Sequence, residues 1–174
     1  MGNKNYRKLK KVNIKVLILE GGFNEEHEVS IETGKQVKKA LKNLKIEHNS
    51  LTVDPKNFEK KIKFFDNSYL CFNALHGSFG EDGKIQKILD NLSFKYTHSN
   101  QAASLIGFNK LLSKEALKKK SILMPETISI NLNNLNKKNM TEIFNQIGSF
   151  IVKPISSGSS FGVEIFKDEN SILK

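Results

Sequence analysis

The chain has 174 residues, 38% of them hydrophobic and 26% charged, and carries a net charge of +10. No apolar run approaches the ~18 residues of a membrane span, no signal-peptide core stands near the N-terminus, and the single cysteine, Cys71, rules out an internal disulfide framework. The positive charge is almost all lysine, spread along the chain with Arg7 as the sole arginine, whereas a nucleic-acid binder clusters its charge and interleaves aromatics or arginines.

The length suits one domain or two small ones, enough to bury roughly 70% of the unfolded surface. A reducing, cytoplasmic setting is expected. Residues 1–12, which include MGNKNYRKLKK, read as a frayed basic tail. Tyr6 stands where a myristoylation signal wants Ser or Thr.

IKVLILE, residues 14–20, is a near-continuous apolar run, as expected of a buried parallel strand. From Ser30 to Leu44 the positions Val37, Ala40, Leu41 and Leu44 recur at helical spacing. Residues 47–53 read as a second strand, a short helix follows Pro55, and SYLCFNAL, 68–75, reads as a third strand. Ile85, Ile88, Leu89 and Leu92 then mark a helix with Asp82 as its N-cap. This βαβαβ order predicts a doubly wound parallel sheet, with ligands outside the carboxyl ends of the strands. The pattern changes near residue 98. Helices are expected at 100–106, 109–120 and 140–147, and strands at 126–130, 149–153 and 162–166. The division gives a tail (1–12), a first domain (13–98) and a second (99–174).

Three loops could carry chemistry. GGFNEEHEVS leaves the first strand and enters a helix, whose N-terminus offers free N–H groups and positive dipole. It is neither GxGxxG nor a P-loop. Its acids, Glu25, Glu26 and Glu28, would attract an ammonium, or form a merely solvated acidic loop. ALHGSFGEDG places His76 after the third strand, where it meets either a substrate oxygen or a loop carbonyl. In FIVKPISSGSSFGVEIF, Lys153 ends a strand before a segment of small residues. That segment reads as a phosphate-wrapping flap or as a polar hairpin, and hairpins usually need only ~2–5 residues.

The stretches LEGGFNEEHEVS (19–30), ALHGSFGEDGKIQ (74–86) and VKPISSGSSFGV (152–163), with KYTHSN (95–100) and GFNKLLSK (107–114), resemble the D-alanine–D-alanine ligase family of the ATP-grasp superfamily. The resemblance runs from about residue 13 to the last residue. It implies a Rossmann-like pre-ATP-grasp domain followed by a truncated α+β ATP-grasp subdomain bearing a phosphate flap. It further implies that ATP phosphorylates the carboxylate of one D-alanine and that the amine of a second attacks the acyl phosphate, supplying a dipeptide for peptidoglycan. By the same resemblance, Glu26 would hold the first D-alanine's ammonium, Val29 its methyl group and His76 its reacting carboxyl. Lys110 and Lys153 would grip ATP phosphates, Ser159 would link the flap to the glutamate, and Gly158, Ser160 and Gly162 would line the phosphate. Catalytic roles would fall to Glu26, His76 and Ser159. A homodimer is expected.

Two positions depart from the family pattern: Ser157, where an acid often precedes the flap glycine, and Phe161, where a smaller aliphatic residue is common. The similarity covers only the N-terminal half, or slightly more, of such a ligase. The adenine hinge and the Mg2+ ligands would lie in the remainder, and metal neutralises charge on the phosphoryl oxygens. Second-substrate choice among D-alanine, D-lactate and D-serine would also lie there. A short non-catalytic binding protein is the alternative of another class. The expectation is that these 174 residues alone do not turn over. A coupled assay checks this, and D-alanine-dependent ADP release by the chain would contradict it.

Overall fold

The structure, a computed structural model, describes residues 14–173, with the side chains of Glu169 and Leu173 outside the description. The expected basic tail of residues 1–12 therefore lies outside the described residues. The chain divides between Gln101 and Ala102 into two compact units.

The first unit is a four-stranded parallel sheet in the order β2-β1-β3-β4. Its strands are β1 (Lys15–Gly21), β2 (Glu47–Val53), β3 (Tyr69–Asn73) and β4 (Lys95–Tyr96). The helices are α1 (His27–Asn43), α2 (Phe58–Ile62) and α3 (Lys84–Asn91). Residues alternate across a strand, so β1 serves two cores. Leu17 and Leu19 pack with Phe58, Ile62, Ile85 and Leu89 from α2 and α3. Val16 and Ile18 face Val37 and Leu41 of α1. Each such buried side chain contributes roughly 1.5–3 kcal/mol. The expected doubly wound α/β class is what the structure shows. Cys71 is fully buried and its thiol is pushed up to about 12 by that burial, so it is a core residue and not a nucleophile.

Several local expectations change. Helix α1 starts at His27, one turn before the first expected residue, with Glu26 at its N-cap. Its inward face is Ser30, Gly34, Val37 and Leu41, while Ala40 is exposed and Leu44 is 68% exposed. The apolar period missed that face because two of its members are small and not hydrophobic. Asp82 is not the N-cap of α3: that position is Gly83, and Asp82, one residue earlier, accepts from the Lys84 amide at 3.1 Å. The third strand ends at Asn73, two residues short of the expected limit.

The second unit comprises α4 (Gln101–Phe108), α5 (Lys110–Lys118), a 3-10 turn (Leu132–Asn134), α6 (Lys137–Ile147) and a final short helix α7 (Glu169–Leu173). An antiparallel pair, β5 (Phe150–Val152) and β6 (Glu164–Phe166), lies between α6 and α7 in sequence. The strand expected at 126–130 is absent, and those residues are irregular. A strand needs a ladder partner, and among the described residues none pairs with this segment. Phe150 and Phe166 stack at 5.0 Å on one side of the pair. On the other side Ile151 and Ile165, register partners, are 57% and 56% exposed.

Gly34 lets α1 lie against β1. A Cβ there would overlap the Glu20 Oε2 atom, whose own side chain is buried beneath the helix. Gly34→Ala should therefore destabilise the fold by about 1–3 kcal/mol, the usual penalty of overpacking. Urea unfolding checks this, and an unchanged midpoint would mean that the helix can move off the strand freely.

Candidate functional site

The carboxyl edge of the sheet gathers two loops because β1 and β3 are neighbours. Strand β1 ends in Gly21 and Gly22, and the Gly21 amide donates to the buried Ser30 Oγ at 2.8 Å. The Gly22 amide donates to the Val53 carbonyl, and the His27 ring Nδ1–H donates to Gly22 O at 2.7 Å. These bonds fold the acidic loop back so that Glu26 occupies the N-cap position of α1. A carboxylate there sits against the positive end of the helix dipole. Glu26 is only 4% exposed, so it is no solvated surface acid, whereas Val29 in the first turn of α1 is 53% exposed.

The second loop closes against it. Gly77 has φ +68, and a Cβ there would stand 2.5 Å from Glu26 Oε2 and 2.9 Å from Asn24 Nδ2. Glycine is thus required twice, for a left-handed backbone and for the space the carboxylate fills. Asn24 joins the loops: its Nδ2 donates to His76 O at 2.7 Å, and its Oδ1 accepts the Glu26 amide at 3.0 Å. The His76 ring Nε2 lies 3.0 Å from Thr33 Oγ1, and Nδ1 lies 3.9 Å from Glu81 Oε1. Glu81 Oε2 accepts the Gly77 amide at 2.9 Å. Behind this, Gly80 O accepts from both Asn73 Nδ2 and Gln86 Nε2. The structure thus brings Glu26 and the loop bearing His76 together, with Val29 in the first turn of α1.

The remaining sequence-selected residues lie in the second unit, around the loop between β5 and β6. The Asn109 side chain caps α5 by accepting the Leu111 and Leu112 amides. The Lys110 amide donates to Ile155 O at 3.0 Å, and its Nζ donates to Ser157 O at 2.8 Å. Burial, and then the nearby Lys153 charge, hold the Lys110 ammonium below its ordinary range. Ser159 and Ser160 both have left-handed backbones, with φ of 47° and 61°. The Phe161 amide donates to Gly158 O, and Gly162 packs against the Pro154 ring. Ser157, at the departure from the family pattern, donates to Phe161 O across the loop at 3.5 Å. Phe161 itself is 45% exposed. The Lys153 side chain is exposed.

Asn24 and Thr33 were not singled out from the sequence. An Asn two residues before the helix cap was the one available signal, because such residues commonly accept a nearby backbone N–H.

No family model matches the chain. Among curated proteins it is 44% identical over 163 residues to the D-alanine–D-alanine ligase of Pelagibacter ubique, covering 92% of this chain and 52% of that protein. It is 39% identical over 160 residues to the D-alanine–D-alanine ligase of Wolbachia pipientis wMel, covering 91% and 49% respectively. Among solved structures, the D-alanine–D-alanine ligase of Bacillus anthracis matches with a TM-score of 0.73 at 30% identity, covering 92% of this chain and 51% of that one. The same enzyme complexed with ATP matches with a TM-score of 0.70 at 29% identity, covering 92% and 52%. The fold is the α/β architecture of the N-terminal portion of such ligases. The chain is a relative of the D-alanine–D-alanine ligases, and it spans about half the length of the curated relatives it matches.

Asn24→Ala removes a donor and an acceptor together. It should destabilise the chain by about 1–3 kcal/mol and speed hydrogen exchange at the Glu26 amide. Asn24→Asp keeps the acceptor and should preserve protection at that amide. Equal exchange rates in all three proteins would show that Asn24 does not join the loops.

Proposed function

We propose that the chain carries the first-substrate site and the phosphate-gripping flap of an ATP-dependent D-alanine–D-alanine ligase. Residues 13–98 are read as the substrate domain and 99–174 as the small ATP-grasp subdomain. The observation that carries this reading is a carboxylate, Glu26, buried at a helix N-terminus on the rim of a parallel sheet, beside the loop that presents His76. A buried carboxylate favours a cationic partner, and the ammonium of an amino acid is one. The exposed Val29 side chain on the same turn offers an apolar contact for a methyl group.

The flap supports the other half of the reading. Two ammonium groups close enough for Lys153 to depress Lys110 repel one another, and a polyanion relieves that repulsion. Main-chain N–H groups of a small-residue loop add further donors to phosphate oxygens. In the proposed reaction the γ-phosphoryl of ATP passes to a carboxylate oxygen of the first D-alanine and ADP leaves. The amine of the second D-alanine then attacks the acyl carbon and phosphate leaves. Ser159, on the flap, and His76, at the reacting carboxyl, complete the proposed catalytic set with Glu26. Among the described residues no three of His, Cys, Asp and Glu converge as metal ligands, so Mg2+ is not assigned to them and no step runs through it. The expected setting is cytoplasmic and the expected assembly a homodimer. Among the described residues no helix is long and apolar enough to cross a membrane.

Titration of the chain with each ligand, followed by amide NMR, tests the reading. D-alanine should shift the signals of residues 22–29 and 76–81 more than L-alanine does, and ATP should shift those of Lys110 and 153–162. Glu26→Gln should weaken D-alanine binding by roughly tenfold or more, as loss of a charge-assisted hydrogen bond does. Lys153→Ala should weaken ATP alone. Equal responses to D- and L-alanine, or an ATP response outside the flap, would overturn the assignment.

A further inference from the structure

The hydrogen bonds of Thr33 determine which nitrogen of His76 carries the proton. Thr33 Oγ1 donates its single proton to Val29 O, one helical turn back, at 2.9 Å. A hydroxyl has one proton to give and two lone pairs to accept with. At 3.0 Å from His76 Nε2, the same oxygen can therefore only accept. With the hydroxyl proton on Val29 O, the ring nitrogen facing Thr33 is the donor of that contact. The other nitrogen, Nδ1, faces Glu81 Oε1 at 3.9 Å, beyond hydrogen-bond length. The ring is held at its main chain as well, through Asn24 and His76 O. Its side chain keeps 31% of its surface exposed.

We propose that Thr33 is a positioning residue that locks His76 in the Nε2–H tautomer and leaves Nδ1 as the ring atom open to a ligand. In the neutral ring Nδ1 only accepts, so it meets a donor such as an ammonium, and it meets a carboxylate only when the ring carries both protons. That the ligand is the first D-alanine rests on the function proposed above, and the lock itself does not. Helix α1 carries both ends of the device, because Val29 and Thr33 are one turn apart. The histidine comes from the neighbouring loop. Whatever fixes α1 on the sheet therefore also fixes the proton on the imidazole. A hydroxyl that had its proton free could instead donate to the ring and reverse the tautomer. Val29 O competes for that proton at 2.9 Å.

The test is nitrogen and proton NMR of the His76 ring in the unliganded chain and in two variants. In the parent chain the Nε2–H proton should give a resolved, slowly exchanging signal. Thr33→Ser keeps the hydroxyl and should keep that signal. Thr33→Val keeps the shape, removes the hydroxyl, and should lose it. In that variant the tautomer ratio should shift towards Nδ1–H by roughly fivefold, the worth of one typical hydrogen bond. Unchanged backbone amide spectra would show that the fold is intact in both variants. A parent ring protonated at Nδ1, or a Thr33→Val ring identical to the parent, would overturn the proposal. Addition of D-alanine then separates the two claims. A shift of Nδ1 with Nε2–H retained supports both the lock and the substrate reading. No response to D-alanine in a ring that is locked as described would sustain the lock and overturn the substrate.

Discussion

The Glu26 carboxylate fills the space that a side chain at residue 77 would need. That contact sets the separation of the two loops on which the proposed substrate site depends. It follows from strand order: β1 and β3 are hydrogen-bonded neighbours, so the turns after them leave the sheet side by side. A glycine at 77 permits the approach, and Asn24 holds it by bonding to both sides. A larger residue at 77 would have to displace Glu26 from its helix end or force the loops apart. The acid, the asparagine and the glycine therefore act as one unit, and substitutions among them should not be additive.

The second unit uses like charge in a comparable way. Lys110 sits at the first turn of α5, a position unfavourable for a cation because the helix dipole is positive there. Its ammonium is partly desolvated, it feels the Lys153 charge, and the Ser157 carbonyl is its one described acceptor. An anion paired with the ammonium would offset these effects without removing them. Such an arrangement suits the proposed anion-binding reading of the loop better than that of a plain hairpin.

Much of the fold was legible because local periodicity reports it. The apolar run of β1, the alternation of its two cores and the one-sided face of α3 are all visible in the order of residues. The face of α1 was not. Its inward positions include Ser30 and Gly34, and a hydrophobicity pattern does not register residues chosen for being small. Lys95–Tyr96 was missed because two residues are too few to show a period. The stretch 126–130 has the right alternation for a strand, but alternation does not supply a partner. The candidate site divides in the same manner. Glu26, His76, Lys110 and Lys153 stand out as charged or titratable groups beside glycines at the ends of elements. Thr33 and Asn24 do not, since their roles lie in bonds to residues 43 and 52 positions away.

The small residues on α1 connect packing to chemistry. Gly34 brings the helix close enough that Glu20, continuing the even-numbered face of β1, lies buried beneath it and pairs with Lys38 at 2.8 Å. Ser30, one turn earlier, reaches the Gly21 amide. Buried ion pairs contribute little net stability, because desolvation offsets attraction, but removing one partner is costly. The Glu20–Lys38 pair is thus better understood as fixing the register of the helix than as strengthening the fold. Ser30 fixes the same register independently at the other end. A helix slipped by one residue would turn by about 100°, carrying Glu26 away from Gly77 and Thr33 away from His76. The groups nearest the proposed chemistry are therefore placed by side chains one to three turns away along the helix.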